Sequence, residues 1–137
     1  MTPGTEGDAT LRSFMNWEAI QQTDSVQQVL AHWHKLGQFR NQHVAVGAGR
    51  HQLIAQSPYT FVRTYRQQGL EDRVVITLDA PVGEKKVAVG EIFTDGVSLT
   101  AYSGQSAQVN GGMVSINSPH TVVLLSVNYS CNSTLSD

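Results

Sequence analysis

Five histidines invite the first chemical reading, because imidazole is the commonest metal ligand in proteins. His32 and His34 stand two apart in a stretch that reads as helix, which turns them about 200° from each other, so they cannot share a metal. The i,i+4 helical pair of an HExxH motif is absent. His43, His51 and His120 fall in loops or at strand ends, with no cysteine or carboxylate cluster at ligand spacing. The expectation is that this chain holds no metal and no cofactor. Nucleophilic catalysis has no better support, since there is no GxSxG. Gly47-Ala48-Gly49 follows a helix and precedes a strand, the reverse of a dinucleotide fingerprint. Paired-carboxylate chemistry would need acids flanking a scissile bond. Asp72, Asp79, Glu84, Glu91 and Asp95 all fall in or beside predicted turns, where solvated charge is the ordinary state. No catalytic residue is therefore expected. Trp17, Tyr59, Tyr65 and Tyr102 are the candidates for stacking on a sugar ring. Tyr59, Phe61 and Tyr65 share one face of a strand, however, a pattern that more often lines a sandwich core. The single cysteine, Cys131, excludes an internal disulfide and reads as a bystander thiol.

One long helix must position whatever lies around it. Ser25 to Asn41 reads as helix, with Ser25 as N-cap and Gln28 completing a capping box. At about 100° per residue, Val26, Val29, Leu30, Trp33 and Gly37 fall on one face, widened by Leu36 and Phe39. Gln27, Ala31 and Lys35 lie opposite. Gly37 costs roughly 1 kcal/mol relative to Ala there, so close approach of another backbone is expected. Arg40 on the apolar side is expected to meet a carboxylate or carbonyl at the rim of the buried surface. Residues 1–24 read as loop, with Phe14, Met15, Trp17 and Ile20 as a small apolar cluster anchored by Trp17.

After the helix, His43 to Gly49 reads as a tight connection. The period then changes from helical to alternating. Strands are expected at 51–55, 59–65, 73–79, 86–89, 97–102, 107–109, 113–116 and 121–127. Gln67 to Asp72 reads as a hairpin loop, Gly90 to Gly96 as turn-rich, and Asn110-Gly111-Gly112 as a strong hairpin turn. Short strands at this spacing predict an antiparallel β-sandwich preceded by one long amphipathic helix, a mainly β fold.

The 137 residues suit one domain, or one small domain with a piece of another. A net charge of -2 without any Lys/Arg cluster argues against a nucleic-acid partner. The one basic doublet, Lys85-Lys86, reads as a solvated turn. No run approaches the ~18 apolar residues of a membrane span. The N-terminus lacks a signal-peptide core, so the chain's own localisation is left open.

The order His32-Trp-His-Lys-Leu-Gly-Gln-Phe-Arg40, then His43-Val-Ala-Val-Gly-Ala-Gly49, then Tyr59-Thr-Phe-Val-Arg-Thr-Tyr65, resembles the C-terminal end of bacterial α-amylases of the glycoside hydrolase 13 family. The first segment is similar to the last helix of their (β/α)8 barrel, and the second to an HPAIGAG-like connection in which Val44 replaces the usual proline. Arg12-Ser-Phe-Met-Asn-Trp17 resembles the RSxMNW segment after the eighth barrel strand. The resemblance implies a boundary near residue 49. Residues 1–49 would be the end of a catalytic barrel, and 50–137 the antiparallel sandwich called domain C. It implies a fragment-like, non-catalytic segment of an enzyme acting on α-1,4-glucans such as starch. The catalytic carboxylates, calcium ligands and most sugar subsites of the family lie upstream of this segment. The implied partners are the barrel and α-glucan, and a parent enzyme would be periplasmic or secreted. Under this reading Val26, Val29, Leu30, Trp33, Gly37 and Arg40 pack against the barrel, and either the helix folds back on the sandwich or Val29 and Trp33 stay exposed. Two other readings are a free-standing carbohydrate-binding module, and a protein-interaction module that self-associates through the helix face.

Overall fold

The computed structural model describes residues 14–127. Cys131 and the Arg12-Ser13 start of the RSxMNW-like segment lie outside them. The chain divides into two compact units between His34 and Lys35.

The first unit holds α1 (Trp17–Gln22) and the beginning of α2 (Asp24–Gln42). Where the sequence reads as loop, α1 forms because Asn16 caps it, its Oδ1 accepting from the Ala19 N–H at 3.0 Å. Glu18 in the first turn adds favourable charge at the helix N-terminus. Phe14, Met15 and Trp17 are exposed, so Trp17 does not anchor this segment. Helix α2 starts one residue before the expected cap, which places Ser25 inside it.

The second unit is a three-layer domain. Its larger sheet has the order β1 (Arg50–Gln56), β2 (Tyr59–Gln67), β3 (Leu70–Leu78), β8 (Val123–Val127), β5 (Ser98–Ala101) and β6 (Ser106–Gln108), with all pairs antiparallel. A two-stranded antiparallel ribbon of β4 (Gly83–Ala88) and β7 (Met113–Ser118) forms the facing layer. The main core cluster draws on both sheets, with Val62, Val75, Leu99 and Leu125 from the larger one and Val87, Val114 and Ile116 from the ribbon. Phe93, beside a 3-10 turn at Gly90–Ile92, packs into the same cluster. This is the expected antiparallel sandwich.

A second core cluster lies on the other face of β3 and β8. Val74, Ile76 and Leu124 pack there with Phe39 of α2 and Ala45 of α3 (Val44–Ala48). Burial on both faces explains why Val74-Val75-Ile76 and Val122 to Leu125 read as continuous apolar runs rather than alternating ones. The expected plain connection at His43 to Gly49 is this one-turn helix, and a Cβ on Gly49 would collide with the Ala45 carbonyl oxygen.

Several local expectations change. The β2–β3 hairpin turns at Gln68 and Gly69, both at positive φ, so the strand already includes Asp72. Asn110 and Met113 exchange two backbone hydrogen bonds around Gly111 and Gly112, as a tight two-residue turn requires. The strands it joins go to different sheets, however, so it is a corner between layers rather than a hairpin. Lys85 is buried instead of solvated, its Nζ donating to the Ser118 and His120 carbonyls at 3.1 and 2.6 Å. Desolvation pushes its pKa below the ordinary lysine value. Among the described residues no atom outside its own helix lies within 4 Å of a Cβ on Gly37, so none of them makes the expected close approach. Arg40 is exposed and makes no ion pair among the described residues.

Asp72 is the largest departure from the sequence reading. It is buried, and it accepts hydrogen bonds from His43 Nδ1 and the Ala45 N–H, each at 2.9 Å. Arg63 donates from the same sheet to the Ala45 and Gly47 carbonyls, at 3.3 Å each. Helix α3 is therefore gripped at both ends. Asp72→Ala leaves the Ala45 N–H without its buried acceptor and is expected to cost about 1–3 kcal/mol, with Asp72→Asn costing less. Urea denaturation checks this, and wild-type stability in Asp72→Ala would show that the grip carries no stability.

Candidate functional site

Asp72 and His43 form the arrangement that orients a catalytic histidine, a buried carboxylate on Nδ1. A general base also needs a hydroxyl or thiol within hydrogen-bond reach. Among the described residues no side-chain hydroxyl bonds to His43. Its ring instead packs against Phe39 with centroids 4.4 Å apart. The pair is thus a fastener between α3 and β3. Asp72 is in phase with Val74 and Ile76 of the second core cluster, but because β3 is apolar on both faces that phase is no clear signal in the sequence. A histidine and an aspartate 29 residues apart cannot be paired from spacing alone. Asp79, Glu84, Glu91 and Asp95 are exposed. Among the described residues no three His, Cys, Asp or Glu side chains gather to hold a metal ion.

The four aromatic candidates occupy different surroundings. Trp17 is exposed in the first unit. Tyr59, 40% exposed, sits on the β1–β2 hairpin with its hydroxyl 3.3 Å from His51 Nε2 and its ring 5.6 Å from that of Phe61. Tyr65 and Tyr102 are half-buried and pack against the second core cluster. Burial pushes the Tyr102 hydroxyl pKa above its ordinary value. The predicted core role of the Tyr59–Tyr65 strand face thus holds for Phe61 and Tyr65, while Tyr59 faces solvent.

The helix face divides between the two units. Phe39 is 5% exposed in the second unit. In the first, Val29, Leu30 and Trp33 are 59%, 53% and 66% exposed, and Val26 is half-buried.

A groove of about 680 Å³ opens where β1, β2 and β3 meet the 3-10 turn. Arg50 and Thr64 are register partners, as are Thr64 and Arg73, so the three stand side by side across three strands. Two rungs along, Glu71 is paired with both Arg66 and Arg73, and Arg73 also donates to the Ile92 carbonyl at 3.1 Å. A second groove of about 390 Å³ lies between Gln38 and Gln42 of α2, Thr100 of β5 and Tyr102 in the turn after it. Among the described residues no helix is long and apolar enough to cross a membrane.

No family model matches the chain. A stretch of 66 residues, 47% of this chain, is 36% identical to the periplasmic alpha-amylase of Escherichia coli K12. That match spans 9% of the length of the Escherichia coli protein. A crystal structure of an Anoxybacillus alpha-amylase aligns with a TM-score of 0.49 and 20% identity, covering 69% of this chain and 21% of that one. The resemblance to the C-terminal part of α-amylases read from the sequence is borne out by the Escherichia coli match, and what it supports is an amylase-like glycoside hydrolase segment.

Glu71 provides a pH test of the ion pairs that hold Arg66 and Arg73 of the groove. Its hydrogen bond from Arg66, with the charges of Arg73 and Arg66, holds its pKa below the ordinary value of 4.5 despite some desolvation. A carboxylate with a depressed folded-state pKa contributes stability that is present above the unfolded value and lost as pH falls through the folded one. Glu71→Gln is expected to remove a small part of the acid-side loss of stability, small because the pair is solvent-screened. Urea melts between about pH 3 and pH 7 check this, and an unchanged acid limb would refute it.

Proposed function

We propose that this chain is the non-catalytic C-terminal segment of an amylase-like glycoside hydrolase acting on α-1,4-glucans such as starch and maltodextrins. The sandwich serves as its domain C, and the apolar face of α2 packs against the catalytic barrel. The carrying observation is the contrast within α2 between buried Phe39 and exposed Val29, Leu30 and Trp33. Residues 25–34 contain no Asp, Glu, Lys or Arg. An uncharged apolar stripe of this kind is costly in water and marks a surface meant to be covered. The amylase-like stretch supports a barrel as the cover. The parent enzyme would act by a retaining double displacement with carboxylates from its barrel, and any calcium would be held there too. The periplasmic character of the Escherichia coli relative supports a parent that works outside the cytoplasm.

Two measurements test this reading. Pure chain incubated with soluble starch is expected to release no reducing ends above a blank, and turnover would sink the proposal. Combined Val29→Ser, Leu30→Ser and Trp33→Ser substitutions are expected to abolish binding of a hydrophobic dye while leaving the unfolding free energy from urea melts within about 0.5 kcal/mol of wild type. Phe39→Ala, by contrast, is expected to cost about 3–5 kcal/mol. A large loss of stability in the triple variant would place that face in the chain's own core and remove the need for a partner.

A further inference from the structure

The groove of about 390 Å³ lies wholly within the second unit, where α2 crosses β8 and β5. Its floor is buried, with Phe39 from α2, Ala101 from β5 and Ser126 from β8. Ser126 pairs with Val74 on one side and Thr100 on the other. Its backbone is thus held in the sheet, and its side chain is what it presents to the groove, on the same face as Leu124. The residue is 7% exposed, yet among the described residues its hydroxyl makes no hydrogen bond. The hydroxyl of its register partner Thr100 is bonded to Ser106 at 2.7 Å. Buried hydroxyls are normally satisfied, so Ser126 lacks a partner that only the groove can admit.

His43 lines the same groove. Asp72 holds its Nδ1 at 2.9 Å and the Phe39 ring lies against it, which fixes the imidazole without using Nε2. Among the described residues Nε2 has no hydrogen-bond partner. Lys35 is the charged side chain at the rim, and among the described residues no carboxylate lines the groove. Asp72, on the far nitrogen of the ring, already supplies the countercharge to an imidazolium. Lys35 is then left as one uncompensated positive charge, which matches a monoanion rather than a phosphate dianion. A carboxylate has two acceptor oxygens, enough for a hydroxyl, an imidazolium and an ammonium together. The apolar floor of Phe39 and Ala101, with Val127 beside it, suits an aliphatic tail.

We infer that this groove binds a small aliphatic carboxylate, with Ser126, His43 and Lys35 as its polar contacts. The test is an NMR titration of the full chain with hexanoate, its neutral counterpart hexanamide, and inorganic phosphate. Hexanoate is expected to give saturable shifts at the His43 ring and the Ser126 amide, and hexanamide to give none. Binding should weaken by about tenfold in Ser126→Ala and in Lys35→Gln, as expected for loss of one charge-assisted hydrogen bond. Urea midpoints should not change, because Lys35 is exposed and the Ser126 hydroxyl has no described partner to lose. Absence of saturable shifts, or hexanoate binding indifferent to both substitutions, overturns the site. Equal affinity for hexanamide overturns the role of charge, and tighter binding of phosphate overturns the carboxylate assignment. No residue of the exposed α2 stripe lines this groove, so the inference stands or falls apart from the domain C reading.

Discussion

Strands β3 and β8 lie side by side within the larger sheet and are apolar on both faces, and this double burial governs the rest of the second unit. A sheet with one wet face needs one cover, whereas this one needs two. The β4–β7 ribbon supplies the first through Val87, Val114 and Ile116. The second is a small helical cap, Leu36 and Phe39 of α2 with Ala45 and Val46 of α3. A helix of five residues has almost no stability of its own, since helix nucleation is costly. It persists because Asp72 takes its Ala45 N–H and Arg63 takes its carbonyls. The polar grip and the apolar cap depend on each other. Without the cap Asp72 and His43 would be solvated, and without the grip the cap would have no fixed angle on the sheet.

The same logic explains the buried lysine. Lys85 lies in the inward phase of β4, two residues from Val87. Its ammonium reaches the carbonyls at Ser118 and His120, closing the corner that leads from the ribbon into β8. Burying an ammonium is tolerable only when its donors find acceptors. Two carbonyls meet that need, and the depressed pKa reports the desolvation that remains.

Much of this architecture was legible from alternation and turn chemistry. The eight strands, the Asn110-Gly111-Gly112 turn and the long helix follow from local periods and from glycine at positive φ. The errors share a physical origin in interactions that join residues distant in the chain. Asp72 and Lys85 look like turn charges because their partners lie 27 to 35 residues away. The β2–β3 turn is shorter than its sequence predicts because Gln68 takes a positive φ without the Asn or Gly that usually marks one. By contrast, the Asn16 cap of α1 is a local signal, an Asn followed by helix-favouring residues, and was available without the structure. The groove at Arg50 and Arg73 was not legible, since it arises from register across three strands and from a turn that closes against them.

Helix α2 shows how far a periodic pattern can be trusted. Its apolar stripe continues from Val26 to Phe39 without any change in chemistry, yet exposure changes from 66% at Trp33 to 5% at Phe39. Periodicity specifies which residues want cover, whereas the cover itself is a property of what is present around them. Helix length supports the same point. Most helical stability in proteins comes from packing of the apolar face rather than from propensity. In α2 the packed residues Leu36 and Phe39 lie near its C-terminal end. A segment that is helical and uncharged, with Val29, Leu30 and Trp33 exposed, has the composition expected of the covered face proposed above. A helix selected only for solubility in that position would carry the Glu and Lys pairs that stabilise exposed helices at i,i+4 spacing, and residues 25–34 contain neither residue.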